Sequence, residues 1–98
     1  MVIVEHDYGL REDQAIGEAG RDRFEAAVYT PGPSRTEPHR HDYDVRLYVL
    51  EGTFQLRSLE DDALHVCGPG AKVFVSAGSL HAEQHDGVRL VVGRRASL

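Results

Sequence analysis

Short apolar runs separated by turn residues fill the chain from Phe24 onward, and this pattern most constrains the fold. Eight runs rich in Val, Tyr, Leu and Phe predict strands at Phe24–Thr30, Glu37–His41, Val45–Leu50, Thr53–Leu59, Leu64–Cys67, Lys72–Val75, Leu80–His85 and Val88–Gly93. Turn residues separate these runs, and Asp86-Gly87 is a strong hairpin signal. Short strands at this spacing are typical of a closed sandwich or barrel, because closure removes the open edges of a small sheet.

The composition is that of one folded domain. The 98 residues suffice for a single core, and a content of 41% hydrophobic and 28% charged residues is typical of a globular chain. The net charge of −5 argues against nucleic-acid binding, and no apolar run is long enough for a membrane helix. One cysteine excludes an internal disulfide, and the N-terminus lacks the features of a secretory signal. We therefore expect a cytoplasmic protein with neither nucleic-acid nor membrane partners.

The first 23 residues follow no single pattern. Val2–Val4 predicts a short strand, whereas Leu10–Ala19 fits a frayed helix and an irregular loop equally well. We expect residues 1–23 to form an N-terminal strand and irregular arm, and residues 24–98 to form the barrel. Because the Val2–Val4 strand has no obvious hairpin partner, we expect it to pair with a second chain in a homodimer.

Four of the six histidines are placed where they could bind one metal ion together. His39 and His41 are two residues apart, so both imidazoles would lie on one face of a strand, with their Cα atoms roughly 7 Å apart. Two rings placed in this way can converge on one divalent metal ion. His81 begins a later predicted strand, and His85 lies four residues beyond it on the same face. These spacings predict a metal site between two strands.

The residues around these histidines resemble the two motifs of the cupin family. The first motif, G-x5-H-x-H-x3,4-E-x6-G, is matched with one extra residue after its first glycine by Gly32, His39, His41 and Gly52. The second motif, G-x5-P-x-G-x2-H-x3-N, is matched by Gly70, Gly78 and His81, with Ser76 in place of proline and His85 in place of asparagine. The resemblance covers Phe24 to about Gly93. It implies an all-β, cupin-type double-stranded β-helix, or jelly-roll β-barrel, that binds a divalent metal ion (Fe, Mn, Ni or Zn) inside its mouth.

One ligand of the resembled family is missing. The first-motif glutamate should fall at position 45 or 46, but Val45 and Arg46 stand there and neither can bind a metal. Three ligand sets fit the remaining residues. The site could hold three histidines with water, it could gain a carboxylate from Asp44 or Glu83, or it could gain a fourth nitrogen from His85. A barrel that has lost its metal is the alternative to all three. If they are not ligands, His85 would be a polar residue at the rim, and Glu83 would be exposed to solvent or would accept a hydrogen bond from a ligand imidazole.

Two classes of function follow from this resemblance. A metal-dependent enzyme would use iron for a dioxygenase reaction, or Mn, Ni or Zn as a Lewis acid for isomerisation or hydrolysis. Because three neutral imidazoles leave the full metal charge in place, a small anionic metabolite is the expected substrate. The alternative is a non-catalytic module that binds a metal or small molecule.

Several further residues have predicted roles outside the metal site. Arg46 is expected to form a surface ion pair with Asp44 or Glu51. Val45 is expected to point inward with Leu47 and Val49, because the three share parity on one strand. Residues 94–98 are expected to form a solvated terminus. The tyrosines at positions 43 and 48 are expected to pack in the barrel, and the single thiol to be buried and structural: Tyr43, Tyr48 and Cys67.

Overall fold

The computed structural model describes residues 1–97 of the chain. In these residues one strand and one short helix are followed by eight further strands. The elements are β1 Val2–Glu5, α1 Glu12–Arg21, β2 Glu25–Tyr29, β3 Ser34–Arg35, β4 Tyr43–Glu51, β5 Phe54–Ser58, β6 Ala63–Cys67, β7 Lys72–Val75, β8 His81–His85 and β9 Arg89–Ala96. Leu98, the last residue of the expected barrel range, lies outside the described residues. No helix in the described part of the chain is long and apolar enough to cross a membrane.

Two antiparallel sheets face each other. One has the strand order β1-β7-β4-β9-β2 and the other the order β3-β8-β5-β6. Strands that follow one another in sequence often lie in different sheets, as β4 and β5 do, which is the arrangement of a jelly roll. The predicted all-β, cupin-type fold is confirmed.

The core lies between the inner faces of the two sheets. Strand β4 alternates so that Leu47 and Val49 face inward, and both are at most 5% exposed. They pack against fully buried Leu56 and Val73 from the opposite sheet and the neighbouring strand. Cys67 is also fully buried, and burial raises the pKa of its thiol, as a structural cysteine requires.

The turn predicted at Asp86-Gly87 is present, but it does not make a hairpin. It joins β8 to β9, which pair with β3 and β5 in one sheet and with β2 and β4 in the other. The turn residues were correct, since Gly87 has φ +110°, but the same residues also suit a crossing between sheets. The prediction of a hairpin there was wrong because local turn chemistry does not specify which strand becomes the partner.

Both ends of the chain contribute more regular structure than the sequence predicted. The ambiguous stretch after Leu10 forms α1, which buries Ala15 and Ala19 on one face against the larger sheet. The last strand continues through Ala96, so Arg94 and Arg95 lie in β9 rather than in a solvated terminus. The division of the chain at residue 23 stays a prediction.

Strand β1 finds a partner within its own chain. Val2 to Glu5 pair with Val75 to Lys72 of β7, which removes the reason given for pairing with a second chain. The other edge of β1 is still the margin of the five-stranded sheet, and Ile3 on it is 46% exposed. The homodimer therefore stays a prediction, now based only on this free edge.

A partly buried ionic cluster links α1 to the outer face of the larger sheet. Glu18 of α1 accepts a hydrogen bond from the Tyr48 hydroxyl at 2.7 Å and forms an ion pair with Lys72 at 2.6 Å. Arg46 reaches the same helix and donates to Asp22 at 2.6 Å. The ion pair expected of Arg46 exists, but its partners are on the helix rather than at Asp44 or Glu51.

The Glu18 cluster should make the free energy of unfolding depend on pH in the acid range. Burial alone would raise the pKa of Glu18, but hydrogen bonds from Lys72, Tyr8 and Tyr48 lower it to about 2 from 4.5. Because this pKa is depressed in the folded state, the stabilisation is complete above about pH 4.5 and is lost as pH falls toward 2. Urea unfolding at falling pH should show a decreasing midpoint. Glu18→Gln should be less stable at neutral pH and should lose less stability on acidification, whereas equal pH dependence in both proteins would contradict the assignment.

Candidate metal centre

Three histidines predicted from the motifs come together inside the barrel. The potential ligand atoms of His39, His41 and His81 all lie within 4.8 Å of one another. Their ring centroids are 4.4 to 5.5 Å apart. A metal bound by nitrogens at about 2.1 Å needs them within about 4 Å of each other, so small ring rotations suffice.

Backbone hydrogen bonds fix the two segments that carry these ligands. The predicted strand Glu37–His41 is wrong, because the segment is irregular and pairs only through an isolated bridge between His39 and His81. In that bridge each residue donates its N–H to the other's carbonyl at 2.9 Å. The N–H of Gly78, a motif glycine, donates to the carbonyl of His41 at 2.7 Å. The ligands therefore converge without the regular strand that the parity argument assumed.

The tautomers of two ligands are set by neighbouring carbonyls. The Nδ1–H of His39 donates to the Glu37 carbonyl and that of His81 donates to the Ser79 carbonyl, each at 2.8 Å. Because a carbonyl oxygen can only accept, each ring carries its proton on Nδ1 when neutral. The lone pair is then on Nε2, and the orientation of each ring is held, as is typical of metal-binding histidines.

Glu83 places a carboxylate beside His81, although it is not part of the group of three histidines whose ligand atoms lie within 4.8 Å of one another. It follows His81 by two residues on β8, and its Oε1 lies 3.4 Å from His81 Nε2. Burial raises the pKa of Glu83, but the hydrogen bond to His81 and the charges of the three histidines outweigh it and lower the pKa. The carboxylate is thus ionised next to the nitrogen that would bind a metal, on a different strand from the missing glutamate.

The three rings also influence one another's protonation. Burial lowers the pKa of His41, and the positive charges of His39, His81 and Arg94 lower it further against the opposing effect of Glu83. Burial also lowers the pKa of His81, but Glu83 and the Ser79 carbonyl outweigh it and raise that pKa. Protons therefore compete with a metal more strongly at His81 than at His41.

The structure places the other two candidate ligands elsewhere. Asp44 accepts the Ala77 backbone N–H at 2.9 Å and an Arg95 N–H at 3.0 Å, and these bonds lower its pKa. Its carboxylate therefore links β9 and the turn after β7 to β4, and it is not part of the histidine group. His85 accepts the Gly87 N–H on Nδ1 at 3.1 Å and stacks on Phe54, at the opposite end of β8 from His81.

A cavity of about 850 Å³ adjoins His39 and His41 and is also lined by Glu83 and His85. Its walls are mainly apolar and come from both sheets, including Val45, Leu47, Phe54, Leu90 and Val92. The expectation that Val45 points inward is confirmed, because it lines this cavity and packs against the core. The space is large enough for a small molecule next to a metal at the histidines.

Two polar residues of the cavity wall lie close to the histidines. Tyr43, which was expected to pack in the barrel, stacks on His41 with ring centroids 4.9 Å apart. Arg94 lines the same wall and was assigned to the terminus. The signal that could have found Arg94 is its parity with Leu90 and Val92, since an alternating strand places every second residue on one face.

Comparison with known proteins gives structural matches only. No family model matches the chain, and no curated protein matches it. Among solved structures, a DUF861 family protein from Thermotoga maritima has a TM-score of 0.66 and 18% identity, over 94% of this chain and 97% of that chain. An RmlC-like cupin from Shewanella frigidimarina has a TM-score of 0.59 and 20% identity, over 74% of this chain and 67% of that chain.

A third neighbour has higher sequence identity. The polyketide cyclase RemF from Streptomyces resistomycificus has a TM-score of 0.61 and 28% identity, over 72% of this chain. This chain spans about half of that protein, because the match covers 54% of it. Together with the two facing sheets, these neighbours show that the fold is that of a small cupin.

Proposed function

We propose that this small cupin binds one divalent transition metal ion through His39, His41 and His81, with the Glu83 carboxylate as the fourth protein ligand. The observation that carries the proposal is the orientation of the rings. Two of them hydrogen-bond to backbone carbonyls through Nδ1, which leaves Nε2 as the metal-binding atom, and the ligand atoms of all three lie within 4.8 Å. In this proposal Glu83, two residues after His81 on β8, replaces the glutamate that is absent from the first motif.

This donor set suits a borderline metal ion. Three imidazole nitrogens and one carboxylate oxygen fit Fe, Mn, Ni or Zn, and Cys67 is buried in the core away from the histidines. The carboxylate balances one of the two positive charges, so the bound ion would keep a net charge of about +1 with which to attract an anionic ligand. Because His39 and His41 line the cavity, a small molecule there would lie next to an ion held by them.

We infer that the metal serves a non-redox reaction on a small molecule in the cavity. The metal would supply Lewis acidity that polarises a carbonyl group of the substrate. The neighbour with 28% identity is a polyketide cyclase, and this supports an isomerase- or cyclase-type reaction. The residues of this chain would supply the rest. The apolar walls exclude water from the substrate, and Thr36 accepts the Glu83 N–H at 2.9 Å and so fixes the backbone that carries the carboxylate.

Metal analysis of protein purified without a histidine tag tests the proposal. We expect about one transition metal ion per chain, and we expect His41→Ala to lose most of it because one of three imidazole ligands is removed. His6→Ala is the matched control, because His6 is exposed and lies outside the histidine group. Equal metal content in His41→Ala and the parent would contradict the proposal. Oxygen uptake by the iron-loaded protein with a substrate would favour the dioxygenase alternative over Lewis-acid chemistry.

A further inference from the structure

Arg94 brings a positive charge into the cavity wall. It follows Leu90 and Val92 at two-residue intervals on β9, and all three side chains line the cavity. Its guanidinium carbon lies 5.4 Å from the centre of the Tyr43 ring, which stacks on His41 at 4.9 Å. These two contacts place the guanidinium within about 10 Å of the His41 ring.

Apart from its contact with the Tyr43 ring, Arg94 has no partner among residues 1–97. Its side chain forms neither a hydrogen bond nor an ion pair within 4 Å in that part of the chain. The adjacent Arg95, on the opposite face of β9, is bound by Asp44 at 3.0 Å and by the Asp22 carbonyl at 3.0 Å. Arg95 therefore bonds β9 to β4 and to the residue after α1. The guanidinium of Arg94 has five N–H donors, and none of them is bound by residues 1–97.

We propose that Arg94 binds the carboxylate of an amphipathic substrate whose apolar body lies along Val45 and Val92 and whose other polar end reaches the histidine site. The planar guanidinium matches a carboxylate with two parallel hydrogen bonds, which a lysine could not reproduce. The part of this proposal that concerns the metal end rests on the proposed function. The anion site stands on the position of Arg94 itself.

Glu25 gives the proposal a second, opposite test. It is the direct register partner of Arg94 on β2, and its side chain also lines the cavity. Its carboxylate is not within ion-pair distance of Arg94, and it would repel an incoming anion. Removing this charge should therefore strengthen anion binding, whereas removing Arg94 should weaken it.

Calorimetric binding of 4-phenylbutyrate and of the uncharged 4-phenylbutanol tests the anion site. We expect Arg94→Ala to bind the carboxylate about 10-fold more weakly, which corresponds to about 1.4 kcal/mol, and to bind the alcohol as the parent does. Arg94→Lys should recover only part of the loss, and Glu25→Gln should bind the carboxylate more tightly. Arg35→Ala is the matched control, because it removes one exposed arginine that does not line the cavity. Equal carboxylate affinity in Arg94→Ala and the parent, or no binding to the parent, would overturn the proposal.

A chelator arm separates this proposal from the metal site. If binding of 4-phenylbutyrate depends on Arg94 equally before and after chelator treatment, the anion site is correct whether or not the histidines hold a metal, because this probe has no second polar group to reach them. If Arg94→Ala retains the parent's metal content and also the parent's affinity for the carboxylate, the metal site is correct and the anion site fails. A thermal melt of Arg94→Ala should differ little from that of the parent, since the side chain is exposed and a cation–π contact such as the one with Tyr43 is weak at an exposed site.

Discussion

Val45→Glu should be less stable than the parent without metal and should recover when metal is added. Val45 lines the cavity and packs against the core, so an ionised carboxylate there would lose solvation as well as apolar contact. We expect a loss of about 2 kcal/mol in the free energy of unfolding, reduced to the extent that Arg94, its cross-strand partner, approaches the new charge. In a domain of this size that loss lowers Tm by roughly 10 °C.

Metal should reverse much of that loss, because a ligand that binds only the folded state stabilises it. The new carboxylate would stand where the resembled family has its glutamate, so the rise in Tm on adding Mn should exceed that of the parent. Val45→Gln is the control, since it has nearly the same shape without the charge and should gain less from metal. If Val45→Glu without metal melts at the temperature of the parent, position 45 does not face the cavity and the placement of the site is wrong.

Gly52→Ala should destabilise the fold by about 2–3 kcal/mol. Gly52 turns the chain from β4 to β5 with φ +83°, a conformation that L side chains rarely adopt. A Cβ atom there would lie 2.7 Å from the carbonyl oxygen of Gly87 and 3.1 Å from a methyl carbon of Val88. Because one of these contacts is with backbone, the two loops must move apart. Urea denaturation should show the loss as a lower midpoint at an unchanged slope.

Gly20→Ala is the comparison variant, and we expect it to raise folding stability where Gly52→Ala lowers it. Gly20 lies in α1, and a Cβ atom there would meet nothing within 4 Å. Alanine is the better helix former, so this variant should be more stable by about 0.5–1 kcal/mol. Equal stability of Gly52→Ala and the parent would show that the turn between β4 and β5 differs from the one described.

The sequence predicted the parts of the site that depend on short-range pattern. Alternation along β4 correctly oriented Val45 and Arg46 toward opposite faces, and the turn residue Gly52 was placed correctly. The motif spacing brought His39, His41 and His81 together, although the segment carrying the first two is not a regular strand. The resemblance succeeded there because it records the convergence of ligands and not the local secondary structure.

The parts that were missed depend on long-range contacts. The direction of Asp44 could not be read because its partners, Ala77 and Arg95, are far away in sequence. Arg94 was assigned to the terminus because nothing local shows that β9 continues between β2 and β4. The helix was ambiguous for a similar reason, since its amphipathic face is defined by the sheet on which it packs.

X-ray absorption at the metal edge of the loaded protein measures the proposed ligand set directly. We predict three imidazole nitrogens and one carboxylate oxygen at about 2.0–2.2 Å, with the scattering pattern that histidine rings produce. In Glu83→Gln the three imidazoles should remain while the carboxylate contribution is lost. A spectrum of the parent that fits fewer than three imidazoles would contradict the account.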